Sequence, residues 1–148
     1  MSDGRTLASR WSEGWHIVPW QITWRDLDAA GHVNNAVFLS LFEWGRTRYW
    51  TEMLGNADAA AIAFIVARAE VDFLQQLGLG DEIDIATRVG AMRNSSFDFL
   101  SEIRNAKGEV AARGKVVVVS FSWSENRSQP ISDELRKRIE TWQGAAPV

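Results

Sequence analysis

The residues best suited to chemistry lie in one short run, Asp26-Leu27-Asp28-Ala29-Ala30-Gly31-His32-Val33-Asn34-Asn35, which leads straight into a long apolar segment. Asn34 suits the cap of a helix beginning beyond it, because its side-chain oxygen can accept an orphan backbone N–H. The first N–H groups of that helix, from Asn35, Ala36 and Val37, have no acceptor within it. Such donors, at the positive end of the helix dipole, favour the oxyanion that forms when an acyl carbonyl is attacked. A neighbouring carboxylate can act as general base on water or attack the carbonyl itself. With no cysteine and no Gly-x-Ser-x-Gly elbow in the chain, a carboxylate is the candidate catalytic centre.

Each of these residues also has a plainer structural use. Asp28 fits an Asx turn in a glycine-containing loop, and Asp26 is expected to structure that loop. His32 is expected to be structural or to orient a substrate. Asp26, Asp28 and His32 together supply too few ligands for a hard cation or for zinc, so no metal is expected. Glu43 lies three residues before Arg46, the spacing of a helical ion pair. Of the basic residues Arg68, Arg88, Arg93, Arg113 and Lys115, those on strands suit a solvated sheet face. The turn Arg93-Asn94-Ser95-Ser96 best suits contact with a nucleotide's phosphates.

Elements on both sides must hold the loop. His16–Trp24 is β-branched and aromatic, which predicts a strand, with Pro19 placing part of it at an edge or bulge. Residues 25–34 form the polar loop. Ala36–Leu54 predicts one long helix, stopped by Gly55-Asn56 and apolar on so many sides that something must wrap it. Four segments then alternate, 62–74, 82–92, 96–105 and 109–123, and Pro130-Ile131-Ser132-Asp133 introduces a short helix to about Trp142. One long helix followed by antiparallel strands is an α+β layout, and a twisted sheet can curl around that helix.

The chain of 148 residues fits one domain, expected over 15–143, after a loosely held tail at 1–14. A net charge of −3 offers no field for gripping nucleic acid, and no apolar run suits a membrane span. The N-terminus lacks the apolar stretch of a signal peptide, making the cytoplasm the default location.

Read along its length, the chain resembles a known family. Asp26-Leu27-Asp28-x-x-Gly31-His32-Val33-Asn34-Asn35-Ala36-Val37-Phe38, after a strand ending in Trp24, looks like the signature of hot-dog-fold thioesterases of the 4-hydroxybenzoyl-CoA thioesterase type. It is also similar to acyl-acyl-carrier-protein thioesterases, which share the Asp-x-x-x-His-Val-Asn-Asn stretch. Phe42-Glu43-x-x-Arg46, Arg68-x-Glu70-Val71-Asp72-Phe73, Gly80-Asp81 and Arg93-x-Ser95-Ser96-Phe97 fall where that family has similar features, over residues 16–137.

The resemblance implies a helix wrapped by a curved antiparallel sheet of about five strands, hydrolysing acyl-CoA without a cofactor. It implies Asp28 as the catalytic carboxylate and the Asn35 amide as oxyanion donor. His32 and Asn34 match polar residues that shape the site or assist the chemistry. It further implies a homodimer or homotetramer with active sites at the subunit interface. Ala30 stands where the carrier-protein branch carries an asparagine, which favours CoA. The rival readings are a carrier-protein thioesterase, a hot-dog hydratase and a non-catalytic acyl-CoA-binding module.

Overall fold

Alternation and glycine placement decide how sheet and helix meet. The computed structural model describes residues 8–56 and 64–144. In chain order these form β1 (Arg10–Ser12), β2 (Trp15–Gln21), a 3-10 turn (Trp24–Asp26), α1 (Asn35–Leu54), β3 (Phe64–Phe73), β4 (Glu82–Met92), β5 (Ser96–Arg104), β6 (Val110–Ser122), β7 (Arg127–Ser128) and α2 (Asp133–Gln143). The strands make one antiparallel sheet in the order β1-β2-β4-β5-β6-β3, with β7 added to β6. Among the described residues β3 therefore forms one long edge of ten residues, paired on one side.

Inward-facing residues of this sheet carry α1 across their middle. Val18, Ile83, Ile85 and Ile103 pack with Phe38, Leu41 and Phe42 near the helix start. Tyr49, Met53 and Leu54 near its end pack with Val89, Phe97, Val116 and the α2 residues Leu135 and Ile139. Each such side chain, fully buried, contributes about 1.5–3 kcal/mol. Two glycines let the layers approach. A Cβ on Gly45 of α1 would lie 2.5 Å from Thr87 Oγ1 and 2.7 Å from Ile85 Cγ2. One on Gly114 of β6 would lie 2.5 Å from the Phe42 ring.

The α+β hot-dog layout expected from the resemblance is present, with differences in detail. The sheet has seven strands rather than about five, because two very short ones, β1 and β7, pair at its margins. β1 lies within the stretch expected as a tail: Arg10 pairs with Asp84 at 2.6 Å, and Trp11 packs edge-on against His16, Tyr49 and Trp142. The tail's first seven residues, like 62–63 at the start of the strand expected over 62–74, lie outside the described residues. Trp24 has left β2 for the 3-10 turn. Pro19 pairs with Asp84, beyond the reach of short β1, where no ladder bond is asked of its missing N–H.

The alternation expected through β3 breaks at a bulge between Val66 and Arg68, which puts Ile65 on the face opposite Ala69, Val71 and Phe73. The wrapping of α1 is also partial. Leu39 and Trp44 remain 42% and 38% exposed, while Arg48 turns inward. Among the described residues no helix is long and apolar enough to cross a membrane.

Candidate active site

The loop between β2 and α1 is organised from its own side chains. Asp26 closes the 3-10 turn, its Oδ2 accepting from the Thr23 N–H at 2.8 Å and the Thr23 hydroxyl at 3.2 Å. Leu27 and Val33 bridge across the loop, and the Val33 N–H donates to the Leu77 carbonyl at 2.9 Å, tying the loop to the β3–β4 connection.

Between these anchors Asp28 makes the expected Asx turn. Its Oδ1 accepts from the Ala30 N–H at 2.9 Å, and its own N–H donates to the His32 carbonyl at 2.8 Å. The chain reverses at Gly31, whose φ of 82° suits glycine and whose N–H donates to the Asp28 carbonyl at 3.0 Å. Among the described residues, Asp28 Oδ2 has no hydrogen-bond partner.

At the helix start Asn34 is the cap. Its Oδ1 accepts from the Ala36 N–H at 2.9 Å, and its carbonyl accepts from the Val37 N–H at 2.9 Å. Two of the three orphan donors are thereby satisfied from inside. Among the described residues the third, the Asn35 N–H, has no acceptor. A cleft of about 410 Å³ collects these groups: Asp28, Ala30, His32 and Asn35 line it together with Phe38, Phe73 and Gln75. The Phe38 and Phe73 rings meet edge-to-face, 5.4 Å apart. A free carboxylate oxygen, an imidazole and an unpaired amide at a helix N-terminus thus share one cavity with an aromatic wall. That set can accept a proton and hold an oxyanion.

The sequence pointed to the polar members of this cleft but not to Phe73 or Gln75. These arrive from the far end of β3, and only the sheet register puts them there. Glu43 and Arg46 lie elsewhere, in a second cleft between α1 and the start of β3. Among the described residues no three His, Cys, Asp or Glu side chains gather as a metal-binding group.

The turn Arg93–Ser96 is not in the Asp28 cleft of its own chain. Ser96 pairs with Val119 of β6, whereas Phe73 pairs with Ala112 of the same strand. Seven residues of strand separate the two rows, or about 23 Å. The turn is also internally committed. Arg93 donates to Asp98 Oδ1 at 2.5 Å and to Ser96 Oγ at 2.8 Å, and Arg136 donates to the Asn94 carbonyl at 3.2 Å.

Between β2 and the second half of α1 lies a buried ionisable cluster that has no marker in the sequence. His16 is buried with its Nε2 against Glu52 Oε2, and Arg48 reaches the other oxygen of Glu52 at 3.0 Å. Burial pulls the imidazole below its ordinary pKa, with the Glu52 carboxylate opposing the shift. Burial also pushes the Tyr49 phenol above its usual range.

Comparison with known families places the chain. The model of the thioesterase-like superfamily matches residues 22–139, from the end of β2 into α2. The chain belongs to the thioesterase-like superfamily. It is 30% identical over 108 residues to the acyl-CoA thioester hydrolase YbgC of Escherichia coli O6:H1, covering 68% of this chain and 78% of that one. Among solved structures it is similar to a thioesterase of Thermus thermophilus, complexed with coenzyme A and zinc. That likeness has a TM-score of 0.82 and 36% identity, over 93% of this chain and 100% of the other. The 1,4-dihydroxy-2-naphthoyl-CoA thioesterase Slr0204 of Synechocystis shares the fold at 20% identity, with a TM-score of 0.74, over 83% of this chain and 93% of the other. The superfamily match contains the whole Asp28–Asn35 loop.

Proposed function

We propose that this protein is an acyl-CoA thioester hydrolase with Asp28 as its reacting carboxylate. The observation that carries the reading is the pairing, in one cleft, of an Asp28 oxygen and an Asn35 N–H that both lack a partner among the described residues. The acyl carbonyl oxygen accepts from the Asn35 N–H. Asp28 either takes a proton from water as that water adds to the carbonyl carbon, or adds directly. In the first course the tetrahedral oxyanion collapses, the C–S bond breaks, and the CoA thiolate regains a proton from Asp28. In the second the thiolate leaves a mixed anhydride, which water then opens. Both give free acid and CoA. Asn34 works by holding the backbone that presents the amide, and His32 by shaping the cavity wall.

The β3 edge supports a homodimer in which two copies pair their β3 strands antiparallel. A two-fold axis near the strand's centre sets the Phe64 end of one copy beside the Phe73 end of the other. The Arg93–Ser96 turn of the second copy then lies about three strand spacings, or 14 Å, from the Phe73 of the first. CoA would thus leave the Asp28 cleft of one copy and meet that turn on the other. A tetramer would pair two such dimers. The loss of the carrier-protein asparagine at Ala30 favours CoA as the carrier.

Thiol release from a panel of acyl-CoAs, aliphatic of several lengths and aromatic, tests this with wild type and Asp28→Ala. The protein contains no cysteine, so a thiol-reactive dye reads only the product. Turnover by wild type that Asp28→Ala abolishes is expected. Turnover unchanged in the variant would remove Asp28 from the reaction, and saturable CoA binding without thiol release would make the protein a sensor.

A further inference from the structure

Trp24 and Trp123 are the two most exposed aromatics among the described residues, and Trp123 is the one that follows β6. The Trp123 side chain is 68% exposed, directly beyond β6. The Phe121 ring packs against it in a T-shaped contact, with centroids 4.9 Å apart and planes at 70°.

The platform is held in place as well as exposed. Phe121 and Ser122 pair with Ser128 and Arg127 of β7, and the Ser122 hydroxyl accepts from the Glu125 N–H at 3.3 Å across the turn. One residue before Phe121, the Ser120 N–H donates to the Ser95 carbonyl at 2.8 Å. The Ile131 N–H likewise donates to the Asn94 carbonyl at 2.9 Å. The aromatic ribbon and the Arg93–Ser96 turn are therefore one continuous surface.

Its charge is positive where the turn meets the ribbon. The Arg93 side chain is about half exposed beyond its pairing with Asp98, and Arg136 lies under the turn. Arg127 of β7 pairs with Ser122 and so starts on the face opposite Phe121, where it meets Glu125 at 2.8 Å. A guanidinium has five N–H donors, so each arginine keeps donors for a second partner. A flat π-surface bordered by cations selects a ligand that is itself flat, π-rich and anionic on one side. An adenine ring carrying phosphates has that chemistry.

We propose that Trp123, backed by Phe121, is the stacking platform for the adenine ring of CoA, with Arg93 facing its phosphates. This rests on the reading of the protein as an acyl-CoA thioester hydrolase. It adds a residue outside the Asp28 loop that reads the carrier and not the acyl group. Stacking of a base on an aromatic side chain is sequence-tolerant and geometrically undemanding, which suits an exposed and singly supported indole.

The decisive comparison uses the full chain and one acyl group carried either on CoA or on pantetheine, which lacks the nucleotide. Trp123→Ala is expected to lower the ratio of kcat/KM for acyl-CoA to that for acyl-pantetheine by about 5- to 100-fold. Trp123→Phe, which keeps a stacking face, is expected to restore most of that ratio. An unchanged ratio, equal losses on both thioesters, or a change of oligomeric state in Trp123→Ala would each overturn the platform. If wild type cleaves neither thioester, the proposed reaction fails while the platform can still be judged by calorimetry. A CoA Kd raised by Trp123→Ala and restored by Trp123→Phe would support it, and an unaltered Kd would overturn it.

Discussion

The side-chain amide of Gln143 is bonded to both backbone polar groups of Val89. Its Oε1 accepts from the Val89 N–H at 2.5 Å, and its Nε2 donates to the Val89 carbonyl at 3.2 Å. The Tyr49 hydroxyl donates to the same Oε1 at 2.9 Å. Val89 stands where the β4–β5 ladder breaks, between Val89 and Met92. The last residue of α2 therefore does there what a neighbouring strand does elsewhere, and ties α1, α2 and the sheet at one buried point.

Gln143→Leu should destabilise the protein by about 2–4 kcal/mol, because it leaves the Val89 groups and the Tyr49 hydroxyl buried without partners. Urea unfolding of the variant against wild type measures this. A loss below about 0.5 kcal/mol would mean that water replaces the amide.

Asp28→Asn should separate chemistry from loop structure. An asparagine Oδ1 can still accept from the Ala30 N–H, so the Asx turn survives and stability should match wild type. The reacting carboxylate is gone, and kcat should fall by about 100- to 10,000-fold with little change in KM. A large loss of stability with proportionate loss of activity would instead mark Asp28 as structural.

Asn34→Ala removes the acceptor for the Ala36 N–H, at a cost of about 1 kcal/mol. The helix start then frays beside Asn35, and kcat should fall by up to about 100-fold, since small displacements of a transition-state donor are costly. Asn34→Asp, which keeps the cap, should recover both. Thermal unfolding and steady-state kinetics on the same preparations test the link between them.

Stability should weaken on mild acidification. The His16 pKa lies below its ordinary 6.5, chiefly through burial, against the pull of Glu52, while Arg48 and burial both disfavour its charge. Between that lowered value and 6.5 the unfolded chain binds the proton more readily, so stability is full above 6.5 and falls as the pH drops through this window. Burial pushes Glu52 up, but hydrogen bonds from Ser9 and Arg48 and the neighbouring His16 hold it net below its ordinary 4.5. Its contribution is present above 4.5 and is lost as the pH falls through its lowered value. Urea midpoints of wild type and His16→Gln from about pH 7.5 to 5.5 isolate the first effect, with a flatter dependence expected in the variant. Equal slopes would assign the pH dependence to other groups.

What could be read from the sequence was local. Asn34 caps the next turn and Asp28 bonds two residues ahead, so four or five consecutive side chains contain the whole interaction. The long strands announced themselves by alternation for the same reason. The aromatic character of Trp24 predicts a strand, yet the Thr23–Asp26 pairing turns the chain first. The bulge after Val66 has no marker in its own residues. The remaining features depend on partners far along the chain. His16 finds Glu52, Gln143 finds Val89, and Phe73 reaches the Asp28 cleft through strand pairing. The distance between the Arg93–Ser96 turn and Asp28 is likewise a property of the register alone.

The close seat at Gly45 makes α1 a lever. Ten residues of helix separate Gly45 from Asn35, an arm of about 15 Å. A side chain forced in at the pivot, against Thr87 and Ile85, would tilt that arm. A tilt of about 4° swings the tip by about 1 Å, enough to cost on the order of 100-fold in rate if the Asn35 amide serves the oxyanion. Loss of the smallest side chain in the helix would then be felt at its far end, as an aiming error in a donor that never touches it.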